Sequence, residues 1–572
     1  MTGILLTAVL SLILYTVLSI ILMFKNKKMK KITVQPAVFV FITLLAFASI
    51  ANYFVLLPMT IANMIIANLV LAVVGVFLSY GMTQTPGKTK RNGPFEATLG
   101  LLVIGVVLVL PTFFVLGIFT LDDSYDSISQ HKVEEAKPLS KDDTPITVSP
   151  EFARNKMQKS MSVIPNTQFY DLGKLQVQKI DEEIVFVGPV EFTGFWKWFR
   201  GKETEGYFTI SATNVNAQPE YVQNKMTYTN SSYFGKYIER VIYGAYPSYI
   251  QSGEAQIEVD QDGKPWYVQT LFKPIGLTYK PNLENLKVAV VDPKSGDINL
   301  YATSKAPEFV DGSVSSEMAA DVNEYFGKYV HGWLNSIFGK KDVKIPNESG
   351  TESSVTPIFN ETGRMFYFTD LTSPKENIDS ALGYTLINAR TGELTYYNGK
   401  KNNGIMDSTG AKEIVNKEFP EKNWEGSMPV LYNIDGNPTW VVNVLDPNGL
   451  FKKYAYIKAS DSDFVVFGDT ARETLEAYRL QLLQDPSNVS SSGETPLQDR
   501  SGVVNRVLVS TQKNGQVVQF LLKGDKTIYT ITAGKSPLAL FLQAGDQVEL
   551  EANIRDNGTG IVETITIEGL TE

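Results

Sequence analysis

The chain has 572 residues, 44% of them hydrophobic, and a formal net charge of −9; it is too long for one ordinary domain. It contains no cysteine and only two histidines, His131 and His331, which excludes disulfides, thiolate metal sites and cysteine nucleophiles and argues against a histidine-dependent triad. Charge is unevenly spread. Residues 1–121 hold eight basic side chains and one acidic, +7, while the remainder holds 44 basic and 60 acidic, −16, so a membrane part and an aqueous part are expected.

Crossing a hydrocarbon core takes roughly 20 apolar residues in a helix. Four runs meet that length: Gly3–Phe24, Val34–Leu57, Thr60–Met82 and Phe95–Leu121. Met1-Thr2-Gly3 lacks the basic residues that open a signal peptide, so the first run reads as a retained span. Lys25, Lys27, Lys28, Lys30 and Lys31 fill the first loop, and Lys88, Lys90 and Arg91 the third. The positive-inside rule puts both loops in the cytoplasm, with the N-terminus and everything after Leu121 outside. The same five lysines are candidate contacts for anionic lipid heads. Asn52, Asn63 and Asn68 are the polar side chains singled out within the runs, and interhelical hydrogen bonding or an interfacial position is expected of them. No ionisable group lies deep in any run, which argues against a proton- or ion-coupled transporter.

Residues 122–150 are polar, charged and proline-containing and read as a stalk. Helices are expected over Glu151–Met161, Ser316–Trp333, Thr409–Phe419 and Thr470–Leu483, the first opened by Ser149-Pro150-Glu151. Strands dominate from about 165 to 485, punctuated by Asp-Gly, Asn-Gly and Ser/Thr-Gly turns. Two patterns recur. Asp262-Gly-Lys-Pro-Trp-Tyr-Val268 is echoed by Asp435-Gly-Asn-Pro-Thr-Trp-Val441 and more loosely by residues 361–368; Val290-Val-Asp-Pro-Lys-Ser-Gly-Asp297 is echoed by Leu386-Ile-Asn-Ala-Arg-Thr-Gly-Glu393. Each describes a tight turn admitting positive φ beside a strand with one buried face. Asp260-Gln-Asp262-Gly263 and Ser460-Asp-Ser-Asp463 begin like calcium loops but lack the further oxygen ligands, so they read as hairpin turns.

These helix-then-hairpin patterns resemble the PepSY group of extracytoplasmic modules. Thr409–Phe467 carries the likeness best, and residues 310–485 as a whole share it. The resemblance implies small α+β units that bind, inhibit proteases or serve as accessory parts of envelope proteins, and it brings no catalytic residues. Residues 486–500 have linker composition. Beyond them, strands over Gly502–Thr511, Val517–Lys523, Thr527–Thr532, Asp546–Ile554 and Gly560–Ile567, with a short helix over Pro537–Leu542, resemble an OB-fold barrel. Seven basic residues against eight acidic in 500–572 disfavour nucleic acid as its partner.

The expected fold is therefore multidomain. A four-helix transmembrane region (1–121) and a stalk (122–150) precede a strand-rich α+β region (151–309). PepSY-like α+β modules with antiparallel sheets (310–485), a linker and a small all-β OB-like barrel (501–572) follow. Walker A, GxSxG, HExxH and CxxC motifs are all absent, and no cofactor, metal or catalytic residue is expected. Phe195-Trp-Lys-Trp-Phe199 is the oddest local feature. Read as a strand, it places Trp196 and Trp198 on one face and Phe195, Lys197 and Phe199 on the other. Phe195, Trp196, Trp198 and Phe199 are then core residues, a lipid-interface surface or a partner patch. His331 is expected to be structural, at a helix end.

The expected function is that of a non-enzymatic membrane protein of a bacterial cytoplasmic membrane, presenting extracytoplasmic binding or assembly modules to other envelope proteins or cell wall. The helices are free to form homo- or hetero-oligomers. An accessory subunit of a transport or secretion complex, and an envelope hydrolase with an acidic site, are the alternatives.

Overall fold

The computed structural model describes residues 2–25, 30–83, 93–134, 148–347, 355–360, 362–375, 380–399, 404–484, 497–512, 515–554 and 558–570. The chain forms two compact units, Met1–Phe464 and Val465–Glu572.

The first unit opens with α1 (Thr2–Leu10), α2 (Ile13–Lys25), α3 (Lys30–Val55), α4 (Ile61–Thr83) and α5 (Gly93–Asp126). Three of these are long and apolar enough to cross a membrane, and four spans result if α1 and α2 count as one. The expectation of an unbroken first helix is corrected: α1 and α2 are bent by 41°. The break frees backbone groups, and Asn68 of α4 takes both sides of it. Its Nδ2 donates to the Leu10 carbonyl at 2.9 Å, and its Oδ1 accepts from Leu14 N–H at 2.9 Å. A neighbouring helix that satisfies freed groups makes such a break tolerable in an apolar setting.

The start of the expected stalk is corrected too. Helix α5 runs past Leu121 to Asp126, because Leu121, Tyr125 and Ile128 continue an apolar face onto the core of the aqueous region. Then β1 (Gln130–Val133) joins a sheet in parallel with β15 (Leu394–Tyr397).

Four helix-plus-sheet groups follow. Helix α6 (Pro150–Ser160), N-capped by Ser149, packs Phe152, Ala153 and Met157 into the core that holds Phe186, Val190 and Phe208. Its sheet is β2 (Tyr170–Leu172), β3 (Gln176–Ile180), β4 (Glu183–Phe192), β5 (Thr204–Ser211) and β6 (Glu220–Met226). The run 195–199, expected as a strand, is instead helix α7 (Phe195–Gly201) inserted between β4 and β5. Five residues are too few to separate period 2 from period 3.6, and Gly194, at φ +134°, turns the chain out of the strand direction.

The second group pairs α8 (Ile238–Ala245) with the meander β7 (Ile250–Val259), β8 (Pro265–Phe272), β9 (Lys287–Val291) and β10 (Ile298–Ala302). In the third, α9 (Ser316–Lys328), N-capped by Ser315, is followed by a single turn α10 (Gly332–Leu334), then β11 (Ile345–Pro346), β12 (Thr356–Phe359), β13 (Met365–Thr372), β14 (Ala381–Asn388) and β15. Ala319, Val322, Tyr325 and Phe326 of α9 share one core with Met365, Tyr367, Ile387 and Leu394. Helix α9 stops at Lys328, short of the expected Trp333, and His331, three residues beyond, bonds Asp342 at 2.9 Å. The fourth group is α11 (Ser408–Glu418), capped by Asp407, with β16 (Glu425–Ile434), β17 (Asn437–Leu445) and β18 (Phe451–Lys458), antiparallel in that order.

Several of the turns share one physical basis. An Asp or Asn side-chain oxygen accepts backbone N–H groups two to four residues ahead. Asp260 Oδ1 takes Asp262 and Lys264, Asp292 takes Lys294 and Ser295, Asn388 takes Arg390 and Thr391, and Asp446 takes Asn448 and Leu450. The Asp260 loop is thus a hairpin turn.

In the second unit, β19 (Val465–Gly468) and α12 (Ala471–Gln484) precede a closed barrel. It is formed by β20 (Gln498–Gln512), β21 (Gly515–Leu522), β22 (Ile528–Thr532), β23 (Gln547–Ile554) and β24 (Thr559–Ile567), in the order β20-β21-β22-β24-β23. A 3-10 turn at Pro537–Phe541 covers Ala539 against the core of Val518, Phe520, Tyr529 and Leu550.

Candidate functional site

The sequence Ile238-Glu-Arg-Val-Ile-Tyr-Gly-Ala245 makes a two-turn helix whose Ile238 and Ile242 enter the core beside Ile257 and Tyr267. Its other side meets the apolar helices. Tyr243, 2% exposed, donates its hydroxyl to the Leu57 carbonyl at 2.7 Å, accepts from Asn52 Nδ2 at 2.9 Å and lies 2.9 Å from the Thr7 hydroxyl. Gly3 lets α1 approach: a Cβ there would stand 2.9 Å from the Gly244 carbonyl. Met59 N–H donates to the Pro247 carbonyl at 2.6 Å, and the Tyr279 hydroxyl bonds Asn63 Oδ1. The three asparagines thus divide by role. Asn68 bridges α4 to the α1–α2 break, Asn52 bonds both the Ile4 carbonyl of α1 and Tyr243, and Asn63 bonds Tyr279. These contacts bring the start of α1, the end of α3 and the start of α4 to one side, and α5 passes from its apolar run into the aqueous core on that side as well.

Next to this junction lies an aromatic cluster. Phe195 sits at 5.2 to 6.0 Å between ring centroids from Trp196, Trp198, Phe199, Tyr233 and Phe234. Trp198 packs against the core, whereas Trp196 is 72% and Phe199 56% exposed. The run is therefore split between core-packed and exposed side chains, because a helix turns Trp196 and Trp198 to different directions. Arg240 ties the cluster to α3: its Nε donates to the Tyr53 carbonyl at 2.9 Å, its guanidinium stacks 4.1 Å over the Tyr53 ring, and its Nη1 bonds the Phe234 carbonyl. The side chains of Lys25, Lys27, Lys28, Lys30 and Lys31 lie outside the described residues.

The buried acidic groups are committed to structure. Glu258 is fully buried, and its two oxygens accept from Asp311 N–H and Gly312 N–H at 2.7 and 2.8 Å. Burial pushes its carboxyl up to about 8, with the nearby Asp311 carboxylate adding to the shift; burial raises Asp311 as well. Arg390 fastens the same loop, donating to the carbonyls of Ala306, Pro307, Glu308 and Val310. This set borders a cleft of about 720 Å³ lined by Lys179, Asp260, Asp311, Arg364 and Arg390 among others. Both Glu258 oxygens are occupied by main chain, so the pair holds a loop rather than presenting two free carboxylates. Ser231 is similarly committed: its hydroxyl donates to Glu191 and accepts from Phe192 N–H at 2.8 Å. Among the described residues, no group of three or more His, Asp or Glu side chains is placed to hold a metal ion.

No protein-family model matches the chain, and no curated protein matches it. Among solved structures, it is similar to the Bacillus megaterium YpeB C-terminal domain, at 11% identity over 44% of this chain and 98% of that one, with a TM-score of 0.11. A likeness that faint assigns no role to any residue.

Nothing in the sequence singles out Tyr243 or Arg240. Ile238, Val241, Ile242 and Ala245 carry the helical spacing that locates α8; nothing local says that its opposite side meets the apolar helices.

Proposed function

We propose that this chain is a non-enzymatic membrane protein of the bacterial cell envelope, with the large region after α5 on the extracytoplasmic side as a binding or assembly surface. The observation that carries this reading is the Tyr243 junction. A bundle used only as a tether has no need of a buried tyrosine shared by α1, α3 and α8. Bundle and modules act as one body on this reading. The third and fourth helix-plus-sheet groups are PepSY-like modules, a reading supported by the order of their helices and strands along the chain. The barrel is OB-like, supported by its strand order and by the 3-10 turn between its third and fourth strands. Trp196 and Phe199 dip into the lipid headgroup region beside the end of α3, where aromatic rings are favoured.

The test uses the absence of cysteine. Asp262→Cys, on an exposed hairpin, should react with a membrane-impermeant maleimide on intact cells; reaction only after permeabilisation would reverse the orientation. Replacing residues 2–121 by an unrelated span should lower the thermal stability of the remaining first unit; unchanged stability would return the bundle to a mere tether.

A second reading, an accessory subunit of a membrane complex, is favoured by the exposure of α5, whose Leu101, Val107, Leu108 and Phe114 all stand mostly uncovered. A stoichiometric partner recovered by cross-linking in native membranes, and lost in Leu108→Trp on the exposed side of α5, would support it.

A further inference from the structure

Between α9 and β11 the chain carries Gly332-Trp-Leu-Asn-Ser-Ile-Phe-Gly-Lys-Lys341, which the proposed function leaves unused. Its inner side is fastened to the end of α5. Trp333 N–H donates to Asp122 Oδ1 at 2.9 Å, and its ring meets Phe119 edge-on at 6.0 Å. Asn335 closes the loop onto Lys341 with both of its amide atoms, accepting from Lys341 N–H at 3.1 Å and donating to the Lys341 carbonyl at 2.8 Å. The fastening leaves Leu334, Ile337 and Phe338 pointing outward, 56%, 54% and 80% exposed, just before Lys340 and Lys341, which are exposed as well.

Three apolar side chains held out by a closed loop need a cover. Depth identifies it. Phe119 is two residues from the end of the apolar run at Leu121, and Asp122 and Asp123 follow. Trp333 therefore lies at the level where α5 leaves hydrocarbon. Apolar residues followed by lysines at that level match an interfacial lipid anchor. A protein partner is the poorer fit, because three side chains fall far short of the ~800 Å² per side of a specific interface.

We infer that Leu334, Ile337 and Phe338 insert into the headgroup–acyl boundary of the leaflet around α5, with Lys340 and Lys341 on anionic lipid phosphates. The inference rests on the reading of α5 as a span but not on the aromatic cluster at α7.

The full chain can carry single spin labels at Ile337→Cys, Trp196→Cys, Leu108→Cys and Asp262→Cys, reconstituted in vesicles of phosphatidylcholine with phosphatidylglycerol. Collisions with oxygen report lipid, and collisions with an aqueous nickel chelate report water. The label at 337 should be several-fold less accessible to the chelate than that at 262 while remaining open to oxygen. Chelate access equal to that at 262 would overturn the inference, and so would shielding from both reagents, which would mean a protein cover. If the label at 108 lies in lipid while 337 lies in water, this inference fails and the span stands; a label at 108 in water removes the span reading itself. The label at 196 reports the α7 cluster separately. Adding Lys340→Gln with Lys341→Gln should make the 337 label shallower in the anionic vesicles and leave it unchanged in phosphatidylcholine alone; no change in either overturns the role of the lysines.

Discussion

The Tyr243 hydroxyl stands 2.7 Å from the carbonyl of Leu57, across 186 positions of sequence, and donates its proton to it. Leu57 lies two residues past α3, which ends at Val55, so its carbonyl is outside the helical hydrogen-bond pattern and the tyrosine supplies it with a donor. Tyr243→Phe keeps the ring and removes that donor, and it also leaves the Asn52 amide without its shorter bond. A buried group left unpaired costs about 1–3 kcal/mol. The variant should melt several degrees lower in detergent micelles; an unchanged melt would mean that the junction adds nothing to stability.

Asn68→Ala strips both groups at the α1–α2 break of their side-chain partner. Polar contacts between membrane helices average about 0.6 kcal/mol and reach about 1.7 kcal/mol. Two losses at one site should approach the upper figure, read as lower stability of the full chain in mild detergent. Asn63→Ala removes no contact at the break and should leave α1–α2 packing unaltered.

Glu258 gives the fold a pH dependence of defined sign. Burial raises its carboxyl in the folded chain to about 8, so from the ordinary carboxylate range up to that value the folded form holds a proton that the unfolded form has lost. Stability is then fully present below about pH 4 and drains as pH climbs toward about 8. The burial-driven rise at Asp311 acts in the same direction. Thermal melts should fall across this window, and Glu258→Gln should flatten the fall. A melt that rises from pH 5 to pH 8 with no difference between the two proteins would refute the assignment.

Arg390 reaches four carbonyls of the 306–310 loop from one planar fork. Lysine carries the charge but not the fork, so Arg390→Lys should not rescue Arg390→Ala. Hydrogen bonds to a charged group contribute about 1.5–3 kcal/mol, and both variants should lose stability of that order in denaturant titrations.

Gly436 sits at φ +83° in the two-residue turn Asp435-Gly436 that joins β16 to β17, and a Cβ added there would meet no atom within 4 Å. Gly436→Ala therefore reports backbone strain alone, and about 1 kcal/mol is expected, seen as a lower denaturation midpoint with an unchanged slope.

The sequence by itself determined what is local. Four apolar runs, the capped helices α6, α9 and α11, the Asp-Gly, Asn-Gly and Ser/Thr-Gly turns and the five barrel strands all follow from periodicity and turn chemistry within short stretches of chain. Tertiary structure decided the rest. Phe195–Gly201 is a helix because Gly194 redirects the chain, and five residues of that run fit either period. The bend between α1 and α2 is tolerated because Asn68, two helices further along the chain, caps it. Helix α5 outlasts its apolar run because the core beside Leu121 and Tyr125 gives those side chains somewhere to go. The site at Tyr243 could not be read in advance for the same reason: a buried hydroxyl is defined by its partners, and Thr7, Asn52 and Leu57 become partners only when the helices and the aqueous region are packed together.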